Sequence, residues 1–82
     1  MSLSDALRKR IKELMKLNEI RSVNALAKLS GVSNTLNDFM AKKIDLLQLD
    51  TILHICEGFG IQLYDFFNSP FFEDVLYEKP KK

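Results

Sequence analysis

The stretch Ser22–Ala41 constrains the fold more than any other part of the chain. Val23, Leu26, Ala27 and Ser30 fall at i, i+3, i+4 and i+7, one face of a helix. Ser22 precedes that face, and its hydroxyl can accept from the free amides that open a helix. Ala27 is small enough for a second helix to approach closely. Gly31 comes where a left-handed residue ends a helix without a Cβ clash. Val32 is expected to plug the corner. Ser33 reads as a second N-cap, and Leu36, Phe39 and Met40 supply the next apolar face at i, i+3 and i+4. Two short helices joined by a tight turn are predicted here.

Such a pair is a helix-turn-helix unit. The run Leu26-Ala-x-x-Ser-Gly-Val-Ser33 resembles that of the phage-repressor-type regulators, the Cro/repressor or Xre-like family. The similarity continues through Leu49-Asp-Thr-Ile-Leu-x-Ile-Cys-x-Gly-Phe-Gly-Ile-x-Leu-x-Asp-Phe-Phe67, where that family has its fourth and fifth helices. The match covers roughly residues 4–68. The resemblance implies an all-α, compact five-helix domain over residues 1–68. It also implies sequence-specific binding of double-stranded DNA by a small transcriptional regulator. Helix three (about 33–41) would enter the major groove while helix two braces the backbone. Carried onto this chain, the base-reading positions are Asn34, Thr35, Asn37 and Asp38. The backbone positions are Ser22, Asn24, Ser33, Lys42 and Lys43. Asn can pair with adenine N6/N7, Thr can meet a thymine methyl, and Asp can accept from cytosine N4. Asn34 and Thr35 also have a helix-capping reading.

The sequence departs from the family pattern in three ways. Val23 stands where the family usually has a phosphate-contacting Gln. Only Asn34 and Thr35 separate Ser33 from Leu36, one residue fewer than usual, so the recognition helix is short at the end that meets bases. No Lys or Arg lies between Ser33 and Ala41. These departures support a second reading, a helix-turn-helix kept as a protein-interaction module, antitoxin-like or regulator-binding, with little base reading.

Charge is divided along the chain. Residues 1–43 carry nine basic and four acidic side chains; residues 44–78 carry seven acids and no Lys or Arg. A basic half beside an acidic half suits a module with one face toward phosphates; the plain alternative is solvated charge. Helix one is expected over Asp5–Leu17 with Ser4 as N-cap. Leu7, Ile11 and Leu14 form its apolar stripe, Arg8, Lys12 and Lys16 an outward row, and Lys9 with Glu13 an i,i+4 pair. Lys42 and Lys43 sit just past helix three, placed either for phosphates or for the negative helix end.

Ile44–Leu49 is apolar enough to fold onto the core, with helix four opening at Asp45 or near Gln48. Leu49, Ile52, Leu53 and Cys56 give that helix its expected inner face, which makes Cys56 a core residue. His54, Asp50 and Glu57 share the outer face and read as a solvated ion pair. Gly58 and Gly60 end the helix, and Leu63, Phe66 and Phe67 make a fifth. Residues 69–82 form an aromatic tail with a frayed basic end. Ser69-Pro70 is expected to start a short extra helix, and Phe71, Phe72, Val75 and Leu76 are expected either to fold back onto their own domain or, as the preferred reading, to cover a second copy of the chain.

Eighty-two residues allow one domain. No apolar run is long enough to span a membrane and no secretory signal is visible, so a cytoplasmic location is expected. One cysteine and one histidine supply neither a disulfide nor a structural metal site. No phosphate loop, nucleophile set or carboxylate pair suggests catalysis. Neither a cofactor nor a small-molecule ligand is expected.

Overall fold

The computed structural model describes residues 2–32, 34–73 and 75. They form α1 (Leu3–Leu17), α2 (Val23–Ser30), α3 (Asn34–Met40), α4 (Leu49–Phe59) and α5 (Leu63–Phe67), then a 3-10 turn over Pro70–Phe72. There is no strand among the described residues, and the five-helix all-α expectation holds.

One core serves all five helices. Leu7, Ile11, Leu14 and Met15 of α1 meet Leu26 and Ala27, Leu36 and Phe39, Ile52, Ile55, Cys56 and Phe59, and Phe66. Val32 packs on its edge, as expected of the corner residue. The inner face of α4 is rotated from the expected one. Ile55 and Phe59 are buried, while Leu49 and Leu53 remain 61 % and 45 % exposed. Both sets fit a helical period; α2 packs on α4 and meets it at Gly58, on the Ile55 side. Gly58 lies inside α4 instead of ending it. A Cβ there would sit 2.4 Å from Ser30 Oγ and 3.2 Å from the Ser30 Cα, so α2 and α4 touch through a missing side chain.

Helices α1 to α4 all end in the same way. In each, one amide reaches back five residues: Ile20 to Met15 O, Val32 to Ala27 O, Lys43 to Asp38 O and Ile61 to Cys56 O, at 2.8–3.1 Å. The preceding residue is left-handed in every case: Glu19 (φ 56°), Gly31 (70°), Lys42 (64°) and Gly60 (74°). This is the Schellman motif, and two of its four left-handed seats are held by residues other than glycine.

Helix α1 begins two residues before the expected start. Ser2 is its N-cap, accepting from the Asp5 amide at 3.1 Å. Ser4 instead donates to Asp45 O at 2.6 Å and ties the α3–α4 loop to α1. That loop folds inward only in part: Leu47 packs against the core while Leu46 is 82 % exposed. Helix α4 opens after Gln48.

Two arginines of α1 terminate other helices. Arg8 is 6 % exposed and was expected to face outward. It donates through Nε to Phe39 O (2.7 Å) and through Nη2 to Ile44 O (2.9 Å), and lies 4.5 Å from the Phe39 ring centroid. Arg10 donates to Phe66 O and Asp65 O, both at 2.8 Å, and pairs with Glu13 at 2.6 Å, which replaces the expected Lys9–Glu13 pair. The last carbonyls of a helix have no partner within it. Arg8 supplies one for α3 and Arg10 supplies two for α5.

The aromatic tail returns to its own domain at its first turn. Ser69 caps Pro70–Phe72, and Phe72 packs against the core, with its ring 6.1 Å from Phe66 and 5.1 Å from Phe67. Phe71 and Val75 are half-buried; Leu76 lies outside the described residues.

Candidate nucleic-acid interface

The helix-turn-helix is built as its sequence implied. Ser22 accepts from the Ala25 amide at 3.0 Å and opens α2. Gly31 closes it in the left-handed conformation. Leu26 and Ala27 are buried against α4, and Leu36 and Phe39 turn α3 onto the same core. The outer sides of α2's first turn and of α3 are left facing solvent.

The four positions expected to read bases divide into two pairs. Asn34 and Thr35, in the first turn of α3, are exposed; Asn37 and Asp38 are half-buried. The first turn therefore presents the more accessible side chains. Asp38 leaves α3 acidic, with no Lys or Arg on it. The helix is seven residues long, about 10 Å at 1.5 Å per residue.

The positions expected to hold the DNA backbone lie before and after this helix in the chain. Ser22 and Asn24 are exposed at the N-terminus of α2, where unpaired amides favour an anion. Lys42 and Lys43 are exposed at the other side, just past α3. Ser33 lies outside the described residues.

Exposed basic groups on α1 complete the picture. Lys9 and Lys12 are exposed, and Arg8 is not. In the sequence Lys9 reads as an ion-pair partner of Glu13 and not as a group for phosphate. No sequence signal separated the inward arginine from the outward lysines, since both continue a helical period. On α4, His54 Nδ1 lies 3.2 Å from Glu57 Oε1, an exposed pair. Cys56 is fully buried, and burial pushes its thiol pKa up. No helix among the described residues is long and apolar enough to cross a membrane.

No curated protein and no solved structure matches the chain significantly. A family model does. The Cro/C1-type HTH DNA-binding domain matches residues 10–70, which takes in α1 from Arg10 onward, all of α2 to α5 and Pro70, and the chain belongs to that family.

Proposed function

We propose that the chain is a small transcriptional regulator that binds double-stranded DNA sequence-specifically, with α3 in the major groove. One observation carries this reading. Within a Cro/C1-type domain, the first turn of α3 offers exposed Asn34 and Thr35 between two sets of phosphate-seeking groups. Asn34, Thr35, Asn37 and Asp38 read bases. Ser22, Asn24, Ser33, Lys42 and Lys43 hold the backbone and set the register. Residues 1–68 form the DNA-binding unit and 69–82 a tail. A homodimer through Phe71, Phe72, Val75 and Leu76 would set two α3 helices about 34–36 Å apart, one turn of DNA.

A second reading has its own support. Leu46 of the α3–α4 loop and Leu49 and Leu53 of α4 are exposed, and exposed apolar patches mark protein contacts. It assigns the domain to protein binding, with weak, sequence-blind affinity for DNA.

Selection from a random duplex pool, then anisotropy titration at two salt concentrations, separates them. DNA reading predicts an enriched site, salt-sensitive binding, and uniform weakening by Lys42→Glu with Lys43→Glu. Asn34→Ala would relax preference at one base pair, by about 1–3 kcal/mol of discrimination. No enrichment, with feeble uniform binding, would favour the second reading.

A further inference from the structure

An open cleft of about 480 Å³ lies between α1 and the turn after α3, lined by Asp5, Arg8, Lys9, Lys12, Met40 and Lys42. Four of these six residues are cations. The one carboxylate, Asp5, is 3.4 Å from Arg8 Nη1 and is partly neutralised there. Arg8 is otherwise committed to Phe39 O and Ile44 O. Lys9, Lys12 and Lys42 are exposed, and none has an ion-pair partner among the described residues. The cleft thus gathers three uncommitted ammonium groups from two walls.

The walls are fixed to each other. Arg8 Nη2 holds Ile44 O at 2.9 Å and Ser4 Oγ holds Asp45 O at 2.6 Å. The segment that follows Lys42 is thereby pinned to the helix that carries Lys9 and Lys12. Lys42 itself adds an independent observation. It occupies a left-handed seat, φ 64°, of the kind that Glu19 holds at the end of α1 and that Gly31 and Gly60 fill at the ends of α2 and α4. Glycine adopts that conformation freely and a side chain strains it. At this helix end a lysine occupies the strained seat and lines the cleft.

We propose that this cleft is a phosphate-binding site, and that its occupant is a phosphodiester of the DNA strand bordering the groove that α3 enters. The proposal rests on the DNA-binding reading above and adds Lys9 and Lys12 to it. Helix α3 would lie along the major groove, and Met40 and Lys42 of the cleft stand at and just past its last residue. The turn at its C-terminal end therefore stays within reach of a groove wall. Lysines on flexible stems bind phosphate as point charges, and three around one cleft outweigh a single carboxylate already paired with arginine.

The test uses the full chain, the selected duplex, a scrambled duplex and inorganic phosphate. Amide resonances of Lys9, Lys12 and Lys42 are followed by NMR, and duplex affinity by anisotropy across salt. The variants are Lys9→Ala with Lys12→Ala, and separately Lys42→Gly. Duplex should move all three amides. Each variant should lose affinity several-fold, equally on both duplexes, with a salt slope smaller by about 1. Lys42→Gly should do so while melting at or above the parent temperature, because glycine relaxes the turn; a merely structural role would leave binding unchanged. Variants that match a binding-competent parent overturn the proposal alone. So does inorganic phosphate that moves these amides when duplex does not, which would mark a free-anion site. A parent that binds no duplex overturns the DNA reading and this proposal with it.

Discussion

Replacing Arg8 should cost the domain a large part of its stability, although the side chain sits among lysines on a basic helix. Arg8→Met keeps the buried stem and removes the guanidinium. The Nε bond to Phe39 O is 2.7 Å long and buried, and a bond from a charged donor contributes about 1.5–3 kcal/mol. The Nη2 bond ends on Ile44 O. Ile44 is exposed, so water can replace that partner and the loss is about 0.5 kcal/mol. The guanidinium carbon is 4.5 Å from the Phe39 ring centroid, which adds about 1 kcal/mol where water is excluded. The contacts with Asp5 and Asp45 are 3.4 Å long and their carboxylates are exposed, so they add little. The lower end of these terms gives about 3 kcal/mol. In a domain of this size that lowers the melting temperature by about 12–24 °C. Urea titration and thermal melting followed by circular dichroism read both numbers. Arg8→Lys keeps the charge but cannot bridge two carbonyls, and should lose at least half as much. If either variant stays within about 0.5 kcal/mol of the parent, Arg8 does not hold the end of α3, and apolar packing alone does.

Two further expectations concern the core. Gly58→Ala gains about 1 kcal/mol of helix propensity but forces a Cβ to within 3.2 Å of the Ser30 backbone. Overpacking should win, with a net loss of about 1–2 kcal/mol in urea titration; adding Ser30→Ala should restore part of it, because Ser30 Oγ is buried without a hydrogen-bond partner. The Cys56 thiol, raised by burial, should react with a thiol reagent only as fast as the domain opens. Since the folded state holds that proton more tightly than the unfolded one, its contribution to stability is complete below the ordinary thiol value of about 8.5 and is lost as pH rises beyond it. Alkaline melts of parent and Cys56→Ala should diverge above that pH.

The local signals in this chain were readable and the long-range ones were not. Ser22, Gly31 and the Leu26–Ala27 face act on neighbours three to five residues away, and the structure forms α2 and its turn as expected. The inner face of α4 was misread because Leu49–Ile52–Leu53–Cys56 and Ile52–Ile55–Cys56–Phe59 satisfy the same period. Only the packing partner decides between them, and Gly58, which lets α2 in, read as a helix breaker. Ser4 was a sound cap by type, but Ser2 took the role when α1 began earlier. The arginines were the hardest case. Arg8 bonds to Phe39 and Ile44, and Arg10 to Asp65 and Phe66; the nearest of these partners is thirty-one positions along the chain.

That last point changes what the basic half of the sequence is for. An arginine whose guanidinium is already shared between two carbonyls offers little to a phosphate, so the charge of α1 toward DNA is carried by its lysines. Helix α3 carries none of it, and with Asp38 it attracts no phosphate. The proposed DNA complex therefore divides reading from holding between different residues. In it Asn34, Thr35, Asn37 and Asp38 of α3 would discriminate bases, while Lys9, Lys12, Lys42 and Lys43 would supply an attraction that is blind to sequence and weakens with salt. The left-handed seat of Lys42 fits this proposed division: at the end of α3 its positive charge would strengthen binding without contributing to base choice.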